Sequence, residues 1–442
     1  MQKVMPALRK EYKQGGCSSY WKIVLPLFVT MGVNRLMQVI DLLMVKDFGH
    51  SAVGAFAVPS HIMFIDSTVA FSIVPLLLKS LAAKESYRQD FERYLQFSIF
   101  GGLFLCILST PLYWLWANVA IEDLQTVVYA KQAILVRSLF IPIRLSQLVT
   151  SMTLHAMGAG RHAVTIACLL LFLNVPANVF FRDLLDTGFV GVFLATEALT
   201  CLHLVLNLIF ITKSHFNPRF QSLFTHPFAI LRNVTSLFWE AKHESLRLLS
   251  SKIFALVSIS LVVYFSKWLP LNLLPLFSFV ISFEALLLIP VLANTRATTI
   301  YLKKFGYDQS LKRSFFWLGG LGVLLTFMFV GIDRWIFHFF LGELGEVALR
   351  WLRGWVWLLP LYLPLSFLCG MLVGKAAAEA RLQESNYAEN VSTWCVTAPV
   401  FLLGLLLHNP WLVWGSFTLG KITNVLLLQR LHPLLSVLNH AR

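Results

Sequence analysis

Asp41 lies in the run Val39-Ile40-Asp41-Leu42-Leu43-Met44, a carboxylate with apolar neighbours on both sides. An ionised group in hydrocarbon costs several kcal/mol and normally faces a cavity or a partner. A lone carboxylate there can bind and release a small cation, which is the chemistry of ion-coupled transport. It can equally be paired structurally with an arginine such as Arg35 or Arg137. Further ionisable residues interrupt other apolar runs: His61, Asp66, Arg144, Glu197, Lys252, Glu284, Arg350 and Arg353. Each fits either a functional role or a hydrogen bond between helices. Arg137 and Arg144 are seven apart and so share a helical face. Arg350 and Arg353, three apart, fit snorkelling to an interface as well as a cavity. Arg35, Asp66, Arg137, Lys252, Glu284 and Arg353 are expected to line a substrate cavity. A net positive lining would select carboxylate- or phosphate-bearing molecules, which Arg binds bidentately. Organic cations would prefer acidic and aromatic walls.

The elements that position these residues are membrane spans. With 57% hydrophobic residues and a mean hydropathy of +0.71, a chain of 442 residues has a bilayer as its solvent. Apolar runs of about twenty residues each cross roughly 30 Å of hydrocarbon as helices. They fall near 21–45, 53–78, 94–118, 127–153, 162–181, 188–212, 246–266, 271–295, 314–333, 350–374, 391–408 and 411–430. The expected fold is therefore all-α and integral to the membrane, with twelve transmembrane helices.

Charge sets the orientation. The two ends and the even-numbered connections hold 24 Lys and Arg, and the odd connections hold five: Lys46, Lys131, Arg182, Lys267 and Arg334. Positive residues are retained inside, so both termini are expected to be cytoplasmic, in the plasma (bacterial inner) membrane. Ile121-Glu122-Asp123 and the segment around Glu343 supply acidic outer connections. Tyr20 and Trp21 are expected at the inner interface, and Trp116, Trp268, Trp335 and Trp411 at the outer one. Topology thus accounts for the pI of about 9.6, and no basic soluble face offers itself to nucleic acid. There is no Walker-type glycine loop to power an ATPase, and the six cysteines show no disulfide or zinc spacing.

The polar connection 216–245 divides the chain into six-span lobes, 1–215 and 246–442. Pseudo-symmetric halves are a common transporter plan. His155-Ala-Met-Gly158 and Met371-Leu-Val-Gly374 suggest a repeat offset of 216, which pairs Arg137 with Arg353, and an offset of 217 pairs Arg35 with Lys252. On that register the four cations converge from four helices.

Pro26, Asp41 and Gly49 with the following Ala52-Val-Gly-Ala-Phe-Ala57 resemble the opening of the multidrug and toxic compound extrusion (MATE) transporters. Gly158-Ala-Gly-Arg161 with Asn174 and Asn178, and Gly188-Phe-Val-Gly191 with Ala195-Thr196, resemble later signatures of that family. The resemblance covers the first half well. It implies two six-helix bundles, alternating access, and an ion site in the amino-terminal lobe made of Asp41, Asn174, Asn178 and Thr196. Asn178 departs from the aspartate of many relatives, which lowers the charge of the site and favours a proton over tightly held sodium.

Taken together, the expected function is not enzymatic. It is secondary export of a small-molecule substrate by a monomer in the lipid bilayer, driven by a proton or sodium gradient, with no resident cofactor, metal or nucleic acid. The alternatives are an exporter of small organic anions, similar to the progressive ankylosis branch of the same superfamily, and a lipid-linked oligosaccharide flippase. Pro142, Pro176, Pro290, Pro360 and Pro364 interrupt spans and mark candidate bends.

Overall fold

The computed structural model describes residues 17–49, 51, 52, 55, 56, 63–83, 88–120, 124–213, 227–266, 274–306 and 345–431, with 317, 319, 320, 322–324, 326–331, 333, 335 and 337 between them. His61, Ile121 to Asp123, Lys267, Trp268, Arg334 and Glu343 lie outside the described residues. Every regular element among the described residues is helical. In chain order the helices are α1 (Cys17–Val45), α2 (Phe64–Ala83), α3 (Arg88–Gln96), α4 (Gly102–Ala120), α5 (Leu124–Leu139), α6 (Ile141–Ala156), α7 (Gly160–Val179) and α8 (Gly188–Ile211). They continue as α9 (Pro227–Ser266), α10 (Leu274–Leu287), α11 (Ile289–Phe305), α12 (Glu346–Glu379), α13 (Leu382–Val391), α14 (Ala398–Leu406) and α15 (Pro410–Leu431). Short π-helical turns join α3 to α4, follow α7 at Phe180–Leu184, and join α13 to α14.

Among the described residues, seven helices are long and apolar enough to cross a membrane, or eight if the bent pair α5–α6 is one span. Their outer faces carry large apolar side chains such as Ile107 and Phe172, 76% and 79% exposed. Water would not tolerate so many of these on one molecule, and lipid does. The chain is a multi-pass membrane protein.

The described residues form two compact units, one of Leu25–Ser245 and one of Met1–Val24 with Leu246–Arg442. In the amino-terminal unit, small residues (Ala52, Ala55, Ala130, Ala133) bring helices close beneath Phe189 and Phe193. The carboxyl-terminal unit is built on aromatics instead: Phe254, Phe277, Trp351, Trp355, Phe401 and Trp414, with the Phe277 and Trp414 rings stacked at 4.5 Å. Gly370 and Gly374 let α12 approach α11 so closely that a β-carbon at Gly374 would meet the Thr295 carbonyl oxygen at 2.6 Å.

Several expectations are revised. Residues 227–245, expected in a linker, are the first half of the 40-residue helix α9. They are anchored within the amino-terminal unit by Arg93 to Glu240 at 2.6 Å and Asn233 to Gln96 at 2.8 Å. Tyr20, expected at the interface, is 1% exposed, and its hydroxyl hydrogen-bonds to Asn294 and Thr298 of the carboxyl-terminal unit. The Pro142 bend is real: α5 and α6 meet at 55°. Pro290 follows a break at Leu288, whereas Pro360 and Pro364 lie inside the unbroken α12.

The repeat is present, in another register. Elements recur from 124 to 346, from 160 to 382 and from 188 to 410, each a separation of 222 residues. The turns agree atom by atom. Gly158 and Ala380 both take left-handed φ, at 85° and 65°, as do Asp186 and His408 at 50° and 49°. The amide of Ala159 donates to the Leu154 carbonyl at 2.8 Å, and that of Arg381 to Ala376 at 2.8 Å. The offset of 216 is therefore overturned: Arg137 is the repeat-mate of Leu359, Arg353 that of Lys131, and Arg35 that of Val257.

Candidate functional site

Asp41 lies late on α1 and is 1% exposed. Asn174 and Asn178 are four apart on α7, so both amides leave the same face. Each donates from Nδ2 to Asp41 Oδ1 at 3.0 Å. Thr196, on the third turn of α8, stands 2.7 Å from Asp41 Oδ2 and 3.1 Å from the Val192 carbonyl oxygen. A hydroxyl has one proton to give. When Thr196 donates to Asp41, the carboxylate is satisfied as an anion. When Thr196 donates back to Val192, the 2.7 Å contact is a hydrogen bond only if Asp41 carries the proton. One hydroxyl rotation therefore serves both protonation states. Asn178 Oδ1 is buried and accepts no hydrogen bond among the described residues.

The arginine alternatives for Asp41 are not contacts. Arg35 is half-buried and donates to Gln38 at 2.7 Å. Arg137 acts on Asp41 only through its field. Its guanidinium lies over the rings of Phe56 and Phe193, at 5.9 and 5.3 Å. Beside this group, Tyr113 donates its hydroxyl proton to Asp66 at 3.0 Å. Arg144, on α6, is 3.9 Å from Asp66 and 3.7 Å from Glu197. Arg144 thus stands between two carboxylates, Asp66 and Glu197, while Arg137 lies over aromatic rings.

In the carboxyl-terminal unit, Glu284 accepts a hydrogen bond from Tyr362. The two line a narrow cleft with Trp355, Leu358, Leu359, Trp414, Phe417 and Thr418. Close by, Glu389 accepts from Asn424, and Lys421 acts electrostatically on both Glu389 and Glu284. Lys252 is half-buried on α9, two residues past Ser250, whose hydroxyl accepts from Trp394 Nε1 at 2.7 Å. Arg353 is half-buried in the second turn of α12, with no hydrogen bond or ion pair among the described residues.

Glu389, Lys421 and Asn424 escaped the sequence reading. Glu389 had fallen in a connection because the eleventh span was begun at 391, while its helix starts at Leu382. The signal was available at Lys421, a single cation in the middle of the apolar run Pro410–Leu431.

No protein-family model and no curated protein matches the sequence. Solved structures do match the fold. A eukaryotic MATE transporter, AtDTX14, is similar at a TM-score of 0.79 and 15% identity, over 96% of this chain and 97% of that one. An outward-facing multidrug resistance MATE transporter of the MOP superfamily gives 0.78 and 16%, over 96% and 97%. A MOP superfamily transporter from Pyrococcus furiosus, whose binding pocket of reversed polarity suggests a different function for it, gives 0.75 and 17%, over 96% and 97%. The fold is that of the MATE transporters.

Proposed function

We propose that this protein is a secondary active exporter, not an enzyme, that couples inward flow of protons at Asp41 to extrusion of small organic molecules by alternating access. The observation that carries this reading is the Thr196 hydroxyl, placed to hold Asp41 with or without its proton. The site offers two amide N–H groups to Asp41 Oδ1, an arrangement for a carboxyl group rather than a sodium ion, which takes only oxygen ligands. Asn178, in place of a second carboxylate, points the same way.

For the substrate, lipophilic cations are favoured. Arg144 of the amino-terminal unit stands between two carboxylates, and in the carboxyl-terminal unit Glu284 is grouped with four aromatic side chains, a set that suits an organic cation. The organic-anion reading rests on four converging cations, and the 222-residue register removes their equivalence.

The test is proton-driven uptake of a lipophilic cation into inverted vesicles. Asp41→Asn, nearly isosteric, should abolish gradient-driven uptake and leave the protein folded. Undiminished uptake would reduce Asp41 to a structural group. For orientation, both termini are read as cytoplasmic from the 24-to-five charge bias. A cysteine at Asn409 should then react with an impermeant reagent from outside, and one at Lys304 only after permeabilisation. The reverse pattern overturns the orientation.

A further inference from the structure

Arg144 occupies a peculiar position. The break between α5 and α6 leaves the Arg137 carbonyl outside the helical ladder, and Arg144 Nη2 donates to it at 2.5 Å. Held there, the guanidinium stands 3.9 Å from Asp66 Oδ2 and 3.7 Å from Glu197 Oε1, beyond hydrogen-bonding distance of both. The two carboxylates are not equally served. Asp66 accepts from Tyr113. Glu197 is 1% exposed, its Oε2 has no hydrogen-bond partner, and neither has Arg144 Nε.

A buried carboxylate with no donor is among the more expensive arrangements in a protein. Two events relieve it: a proton on the carboxyl, or closure of the guanidinium by less than about 1 Å into a charge-assisted bond of ordinary length. We infer that Glu197, with Arg144 and Asp66, is a second proton site in the amino-terminal unit, at which Glu197 exchanges a proton for the Arg144 guanidinium. On release, the Glu197 O–H bond breaks, the proton leaves to water, and Arg144 Nε–H closes on the carboxylate. Loading reverses each step, and Arg144 returns to its place between the two carboxylates.

This site is distinct from Asp41. Thr196 and Glu197 are adjacent on α8, so their side chains leave about 100° apart. The elements packed on α8 bring Lys131 and Arg137 from α5, Arg144 and His155 from α6, Arg161 and His162 from α7, and Arg182 and Asp183 from the turn after it. His203 and Cys201 are on α8 itself; His203 meets Gln147 at 3.0 Å, and Arg182 is engaged by Asp47 and Asp183. The groups whose fields reach Glu197 are Arg144, Arg137, Asp66 and Asp41. Asp41 contributes least of these, so the two carboxyls are separate sites. The inference rests on the proposed function only in that both sites would serve one proton-driven cycle.

Infrared difference spectroscopy of the purified full-length protein, stepped from about pH 8 to about pH 5, reads protonated carboxyls directly. A carboxyl band should appear that shifts on carbon-13 labelling of glutamate, disappears in Glu197→Gln and persists in Asp41→Asn. A Glu197→Gln spectrum identical to that of the parent overturns the site. Should Glu197→Gln fail to fold, Arg144→Lys replaces it: the labelled band should move its midpoint by about one pH unit or more. An unmoved midpoint overturns the exchange. No transport enters this measurement, so loss of the Asp41 reading leaves it standing, and its own failure leaves Asp41 untouched.

Discussion

The two units share a backbone frame and fill it with different chemistry. Asp41, Asn174, Asn178 and Thr196 of the amino-terminal unit have as repeat-mates Val263, Val396, Val400 and Thr418. Conversely Glu284, Glu389, Lys421 and Asn424 fall opposite Ile62, Ala167, Leu199 and Leu202. Turns and helix starts are kept to the residue while the charges of these two sets have moved. Backbone geometry is set by packing and turn chemistry, which tolerate many apolar side chains. A buried charge survives only where partners exist, so each unit has assembled its own set. The comparison teaches that the repeat is a scaffold on which each unit carries its own set of ionisable groups.

The largest expected effect breaks the charge set of the carboxyl-terminal unit. Lys421→Met removes the cation facing Glu389 and Glu284. Stability should fall, because both carboxylates lose the cation whose field reaches them. Lys421→Met with Glu389→Gln should recover most of it. Detergent-phase thermal unfolding checks both, and a double variant no better than the single one would show that Glu389 does not depend on Lys421. Neither substitution should alter proton coupling at Asp41 if function is confined to the other unit.

A smaller effect compares the one residue of these four that both frames keep. Thr196→Val deletes the hydroxyl beside Asp41, a hydrogen bond to a charged group worth about 1.5 kcal/mol or more, or roughly tenfold in coupled uptake. Thr418→Val makes the same change where no carboxylate occupies the matching place; because Thr418 lines the Glu284 cleft it should alter the KM for substrate and leave the proton dependence of uptake unchanged. Equal losses from both would dissolve the contrast between the units.

Much of this was legible in sequence, and the failures have identifiable causes. Apolar run length and charge bias are local signals, so the membrane class was readable from composition. The start of α9 was not, because Asn233 and Glu240 look like a polar linker until their partners Gln96 and Arg93 on α3 are placed. Asp41 was legible as a carboxylate in hydrocarbon. Asn174, Asn178 and Thr196 were reached only through family likeness, since amides and hydroxyls are common in spans. The pairing of Arg144 with Glu197 depends on the α5–α6 break, and no spacing encodes it. The 222-residue register was hidden because few identities such as Pro142 with Pro364 survive in it, so a chance match at 216 looked better.

The smallest expected effect tests the frame itself. Gly158 and Ala380 end helices at equivalent places with φ of 85° and 65°. A β-carbon in this left-handed region costs roughly 1–2 kcal/mol, which glycine avoids. Glycine gives back roughly 0.5–1 kcal/mol through the freedom of the unfolded chain. Ala380→Gly should therefore stabilise the protein by about 0.5–1 kcal/mol, the difference between these two terms, and Gly158→Ala should destabilise it by a similar amount. Thermal unfolding of both variants and of the pair decides the matter. If the turns are true repeat-mates in separate units, the two changes should cancel in the double variant, because distant independent sites add. Should Ala380→Gly destabilise, the left-handed turn at 380 is not the equivalent of the one at 158, and the register loses its most local support.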